Sequence, residues 1–266
     1  MRPKKHLGQH FLTSTRYAER IAESVPAGSG ENVLEIGPGQ GALSVYLKKR
    51  FPDFHLVEVD PEAVERLREK LGEGRHVIHN QDIMEFDYST AGFPLHVVGN
   101  LPYSIAALIL KKTLYYGNDI LSCTFMVQRE VAERIASGPH SKTNGFLTIF
   151  CAFFGTPRIL FHVPPGAFFP RPNVDSTVFQ IIIDEDLETK LERDKWETFF
   201  AFVSRGFSQR RKTLAKVLGD GLISKQDYRR IFEESGIDPL SRPEDLDVNL
   251  WLKLFRKSLS LKKEPV

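Results

Sequence analysis

The stretch Val33-Leu34-Glu35-Ile36-Gly37-Pro38-Gly39-Gln40-Gly41 constrains the fold more than any other part of the chain. A short, mostly apolar strand runs straight into a glycine-rich turn, and Ala42 to Lys49 reads as the helix that the turn opens. Glycine lets the backbone approach a ligand closely and take dihedral angles that other residues avoid. Strand, glycine turn and helix together begin a βαβ unit, which belongs in a parallel sheet covered on both faces.

The pattern repeats along the chain. Thr15 to Ser24 reads as an amphipathic helix after a basic arm. Further strands are predicted at Phe54 to Val59, His76 to His79, Leu95 to Gly99 and Thr124 to Val127. Helices are predicted from Pro61 to about Leu71, where proline at the first helical position favours initiation, and at Ala106 to Tyr116, Arg129 to Ala136 and Phe146 to Phe154. Arg158 to Val163 and Thr177 to Ile183 look like two more strands. No helix separates them, so they are expected to pair antiparallel. Between them lies a loop rich in Pro and Phe, Pro164 to Asp175. From Leu187 onward the chain reads as helical and charged. The expectation is an α/β, Rossmann-like domain over residues 1–185 and a small all-helical domain over 186–266.

Ligand class follows from the turn and its acidic neighbours. Dinucleotide sites use G-x-G-x-x-G with a pyrophosphate on the helix N-terminus. Here the spacing is G-x-G-x-G, and Glu35 precedes it. A carboxylate there repels a pyrophosphate but suits an ammonium group, such as the methionine end of S-adenosylmethionine. Glu58, at the end of the second strand, can accept from both ribose hydroxyls. Asp82, after the third, can accept from an adenine amino group.

Asn100-Leu101-Pro102-Tyr103 follows the fourth strand, where open α/β sheets place their sites. These residues suit methylation of an exocyclic adenine nitrogen. That nitrogen's lone pair is delocalised into the ring and must be localised before it attacks a methyl group. The Asn100 side-chain oxygen and the Leu101 carbonyl can accept hydrogen bonds from its two N–H groups. Pro102 stiffens the turn, and Tyr103 offers a ring for the base to stack on.

With these residues in view, the chain resembles the KsgA-type (RsmA/KsgA) family of small-subunit (16S) ribosomal RNA adenine N6,N6-dimethyltransferases. The resemblance runs over nearly the whole chain. It takes in Lys5-His6-Leu7-Gly8-Gln9-His10-Phe11-Leu12, Glu35 to Gly41, Val57 to Asp60, Gln81-Asp82 and Asn100 to Tyr103. It continues through Phe168-Phe169-Pro170-Arg171-Pro172-Asn173-Val174-Asp175-Ser176 and Phe207 to Thr213. It implies a class I S-adenosylmethionine methyltransferase fold, with His10, Leu12, Gly37, Glu58, Asp82 and Asn100 at the cofactor. Glu35 and Gly39 join them from the turn itself. It also implies that Tyr103 and Phe168 sandwich a flipped adenine. The family usually has Asn where this chain has His10, and often has Asn where Ser104 follows Tyr103. The implied substrate is a pair of adjacent adenines in the 3′-terminal hairpin of small-subunit rRNA, presented in an immature 30S-type particle.

The net charge of +2 over 266 residues says little, but its placement says more. Lys4 and Lys5 lie in the basic arm, and Arg205, Arg210, Arg211 and Lys212 form a second cluster. Both are candidate phosphate contacts for folded RNA. Cys123 and Cys151 sit in apolar stretches and read as packing residues rather than as a disulfide framework. No Cys/His spacing suggests a metal site. The start of the chain does not read as a secretory signal and no window is long enough to span a membrane, so a cytoplasmic protein is expected. Without a sustained heptad a monomer is expected. Two other functions share the fold: a large-subunit rRNA methyltransferase conferring macrolide resistance, and a ribosome-assembly or transcription factor. Leu101, where the resistance family tends to have Ile, and Val174-Asp175-Ser176 favour the small-subunit enzyme. Intact Asn100, Tyr103, Glu58 and Asp82 favour catalysis.

Overall fold

The computed structural model describes residues 10–28, 30–219 and 225–261. Lys4 and Lys5 lie outside the described residues. The chain divides into two units, one of Met1–Ala132 with Gly155–Asp184 and one of Glu133–Phe154 with Glu185–Val266.

The first unit is built on a seven-stranded sheet. Its strands are β2 (Asn32–Ile36), β3 (His55–Glu58), β4 (Val77–Asn80), β5 (Leu95–Asn100), β6 (Ile120–Gln128), β7 (Arg158–Val163) and β9 (Ser176–Ile182). Their order across the sheet is β4-β3-β2-β5-β6-β9-β7. The first five are parallel, and β9 runs antiparallel between β6 and β7. The expected antiparallel pairing of the last two strands is observed. Strand β6 is longer than its sequence suggested, beginning at Ile120. Strand order reverses between β2 and β5, and it is beyond the carboxyl ends of such strands that a crevice opens.

A second, two-stranded ribbon was not foreseen. Strand β1 (Phe11–Leu12) pairs antiparallel with β8 (Phe168–Phe169), in the register Phe11 with Phe169 and Leu12 with Phe168. Two-residue strands carry no periodicity, so nothing in the sequence marked the pair.

Helices α1 (Thr15–Ser24), α2 (Ser44–Arg50), α3 (Pro61–Leu71) and α4 (Ala106–Leu114) cover the sheet. The start of α3 has a clear cause: Pro61 stands at its first position, and the Asp60 carboxylate accepts from the Glu62 N–H at 3.1 Å. One core cluster runs through Ile21 and Ala22 of α1, Leu47 of α2, Leu67 of α3, and Val33, Leu56 and Val178 of the sheet. Close strand contact also explains Gly99: a Cβ there would stand 2.6 Å from the Ile36 carbonyl oxygen.

The second unit departs from a simple boundary at residue 185. Past α5 (Arg129–Ile135) it also takes in α6 (Phe146–Phe154), together with α7 (Leu187–Lys190), α8 (Trp196–Phe207), α9 (Leu214–Leu218), α10 (Lys225–Ser235) and α11 (Val248–Leu261). The reason is aromatic packing within the unit. Phe150 meets Phe200 with ring centroids 4.6 Å apart, and Phe154 meets Trp196 at 5.3 Å. A helix this apolar must be buried against other helices. Cys123 and Cys151 are both buried free thiols. Among the described residues no helix is long and apolar enough to cross a membrane.

Candidate active site

Gly37, Gly39 and Gly41 follow β2 and all have positive φ, at 62°, 55° and 69°. A side chain at position 39 would be strained by its φ alone, and its Cβ would press on the Phe11 ring at 3.2 Å. The turn is held from below by a 3.0 Å bond from the Gly37 N–H to the Val57 carbonyl. It borders a cavity of about 270 Å³.

Glu58, at the end of β3, is buried and gripped by backbone. Its Oε2 accepts from the Gly39 N–H and its Oε1 from the Asp60 N–H, each at 2.9 Å. Burial raises the pKa of its carboxyl, and those two N–H groups pull it back. Each oxygen keeps a further lone pair for a hydroxyl donor.

Glu35 lies deeper, 2 % exposed, and its Oε2 has no hydrogen-bond partner. Burial pushes its carboxyl up to about 8, with the nearby Ser44 hydroxyl and Lys70 ammonium opposing and the Glu58 charge reinforcing the shift. A buried acceptor without a donor costs about 1–3 kcal/mol. Such an atom in a cavity wall is suited to a cationic ligand group. Asp82, following β4, is exposed at the cavity. Its Oδ1 accepts from the Met84 N–H at 2.8 Å.

Asn100 ends β5 beside these groups. Its Nδ2 donates to the His10 carbonyl at 3.2 Å, which leaves Oδ1 as an acceptor. The following peptide is fixed by a 3.1 Å bond from the Leu101 N–H to the Met126 carbonyl. Pro102 and Tyr103 complete the wall. The Tyr103 hydroxyl is 2.7 Å from Ser176 Oγ, and its ring stacks on His10 with centroids 5.7 Å apart and planes at 28°. Burial raises the pKa of this phenol.

The structure therefore gathers His10, Leu12, Glu35, Gly37, Gly39, Glu58 and Asp82 with Asn100 to Tyr103 around one cavity. It does not bring Phe168 there. Register explains the difference. Leu12 and Phe168 face each other across the ribbon, and both side chains enter the hydrophobic core, Phe168 at 5 % exposure. The exposed ring of that strand is Phe169, at 62 %. His10 differs from a simple cofactor donor as well: its Nδ1 is 2.8 Å from the Pro170 carbonyl. Sequence reasoning missed Phe11, which lines the cavity and fixes the space above Gly39.

In the second unit Arg205, Arg211 and Lys212 are exposed. Arg210 is engaged within the unit, donating to the Lys142 and Asn144 carbonyls at 2.9 and 2.8 Å, with Glu244 4.0 Å away. Its first role is to hold the turn before α6. Among the described residues no group of three His, Cys, Asp or Glu side chains could hold a metal ion.

The chain is 35% identical over 260 residues to the ribosomal RNA small subunit methyltransferase A of Xanthomonas campestris pv. campestris strain B100, covering 97% of each chain. It is 36% identical over 257 residues to the protein of the same name from Laribacter hongkongensis, covering 96% of this chain and 95% of that one. In fold it is similar to a dimethyladenosine transferase from Plasmodium falciparum, with TM-score 0.78, 21% identity and coverage of 94% and 98%. It is likewise similar to the 23S rRNA methyltransferase ErmE, with TM-score 0.73, 24% identity and coverage of 93% and 98%. These likenesses and the observed strand order make the sheet a Rossmann-like class I methyltransferase sheet, joined to a helical C-terminal unit. The family model for ribosomal RNA adenine dimethylases matches residues 1–259, and the chain belongs to that family.

Proposed function

We propose that this protein transfers two methyl groups in succession from S-adenosylmethionine to N6 of each of two adjacent adenines in the 3′-terminal hairpin of small-subunit ribosomal RNA. The observation that carries the chemistry is the orientation of Asn100: its Nδ2 is held by the His10 carbonyl, so Oδ1 is the atom offered to a substrate. Near-full-length likeness to small-subunit methyltransferases supports the choice of RNA.

The residues around the cavity fit the cofactor. The unpartnered Glu35 Oε2 suits its ammonium group, the Glu58 oxygens its ribose hydroxyls, and Asp82 its adenine amino group. Once bound, the cofactor supplies an electrophilic methyl group on a sulfonium. Asn100 Oδ1 and the Leu101 carbonyl accept hydrogen bonds from the two N–H groups of the target amine and so localise its lone pair. Tyr103 stacks on the base, and its bond to Ser176 holds the ring in place. No strong base is required, because the methylated ammonium is acidic and loses its proton to solvent. After the first transfer one N–H remains, so the second transfer relies on one acceptor and on stacking.

Lys4, Lys5, Arg205, Arg211 and Lys212 are assigned to phosphate contacts. The reading further places the reaction in the cytoplasm, on immature 30S-type particles, with the protein acting as a monomer. A methyl-transfer assay with labelled cofactor tests it, run on immature small subunits with large-subunit RNA in parallel. Dimethyladenine mapped to the small-subunit hairpin is the expected result. Label confined to large-subunit RNA moves the protein to the resistance enzymes, and no label on either points to a binding role in assembly.

A further inference from the structure

The second ring of the ribbon, Phe169, has no task in the account above. It is 62 % exposed, a costly place for a phenyl group. Scattered exposed apolar side chains are ordinary on protein surfaces, but the position of this one is not arbitrary. Its backbone is tied on both sides. In register it faces Phe11, and side chains opposed across an antiparallel pair share a face with Cβ atoms about 5 Å apart. Phe11 lines the cavity and packs over Gly39. The carbonyl of the next residue, Pro170, accepts from His10 Nδ1 at 2.8 Å, and His10 in turn stacks on Tyr103. Phe169 is thus an open aromatic face on an anchored backbone beside the mouth of the site. Its neighbour Phe168, whose side chain points the opposite way, is spent on the core.

We infer that Phe169 is a substrate-positioning residue that stacks on an unpaired nucleobase flanking the adenine held at Tyr103. This rests on the proposed RNA substrate. A base drawn into the cavity leaves its neighbours unstacked at the rim, and single-stranded RNA bases are recognised by stacking on aromatic side chains. A planar ring there holds the strand in register while each adenine is modified.

The test compares F169A, F169L and F169Y with the wild type in steady-state methyl transfer to unmethylated small ribosomal subunits, with cofactor affinity measured for each by calorimetry. Stacking on one base is worth about 5- to 150-fold in binding. The expected result is a KM for subunits raised by about that factor in F169A and F169L, restored in F169Y, with cofactor Kd unchanged throughout. Leucine keeps the apolar volume and removes the π face, so F169L behaving as wild type overturns the inference. So does a loss in F169Y equal to that in F169A. An altered cofactor Kd in all three variants shows instead that Phe169 supports the cavity wall, which also overturns it. Absence of transfer by the wild-type protein is a different failure and falls on the proposed function.

Discussion

The side-chain amide of Asn100 reaches back to the main-chain carbonyl of His10, joining residues ninety positions apart at 3.2 Å. An amide free to turn would offer donor and acceptor alternately. Here the donor is engaged, and the oxygen is what the substrate amine meets. Asn100→Ala is therefore expected to lower kcat by about 100-fold or more, the scale seen when one preorganised polar group is removed from a reaction centre. Single-turnover methyl transfer at saturating RNA measures this. A variant with normal kcat and only a raised KM would refute the acceptor role.

Glu35 should make cofactor binding release a proton. Its carboxyl is pushed up to about 8, so it is mostly protonated at neutral pH and becomes ionised when it meets an ammonium group. Affinity then rises with pH up to about 8. Calorimetry at pH 7 in buffers of different ionisation enthalpy should detect the released proton, and E35Q should abolish it. Stability of the ligand-free protein runs the other way. The unfolded carboxyl titrates near about 4.3, so above that pH the folded state binds more protons than the unfolded state. Stability falls as pH rises from there to about 8, then levels off. E35Q should flatten that slope in denaturant titrations.

Gly39→Ala places a Cβ in a left-handed conformation against the Phe11 ring. The backbone penalty alone is about 1–2 kcal/mol, and relief requires moving the turn or the ribbon. Cofactor Kd should rise about tenfold or more, with only the part due to the ring contact recovered when Phe11 is also reduced to Leu. Non-additivity in that double-mutant cycle is the deciding quantity.

Tyr103 separates a ring function from a hydroxyl function. Y103F loses the bond to Ser176 and about 1 kcal/mol of stability, yet keeps the stacking face and most of the activity. Y103A should lose both. Equal activity losses in the two variants would place the hydroxyl, not the ring, at the substrate.

The basic residues of the second unit should separate in the same manner. R211Q and K212Q are expected to reduce the salt dependence of RNA binding by about one charge each, leaving stability alone. R210Q should destabilise the unit, because its guanidinium holds the Lys142 and Asn144 carbonyls. Salt titrations of binding beside thermal melts distinguish the two outcomes.

What the sequence disclosed, and what it withheld, follow a physical line. The helices at Thr15–Ser24, Pro61–Leu71 and Phe146–Phe154 are legible from their apolar patterns to within a residue or so, and Pro61 adds a start signal to the second. The cavity residues from Glu35 to Tyr103 are legible because each lies at or just beyond the carboxyl end of a strand, where chain order and spatial order coincide. Phe168 was misplaced because two consecutive phenylalanines point to opposite faces, and which faces inward is settled by pairing with a strand far away in sequence. The sheet–helix boundary was read from where strands stop. Helix α6, lying between strands, joins the other unit through its rings.

That distant pairing has a bearing on the order in which the site comes into being. Phe11 and His10 leave the ribosome more than a hundred and fifty residues before their partners Phe169 and Pro170. Until then the N-terminal segment has no strand to close against, and the wall over Gly39 is unfinished. A nascent chain cut short before residue 168 would carry the glycine turn, Glu58 and Asn100, and still lack one side of its binding site. Competence arrives only with the loop that returns to meet the Phe11 strand.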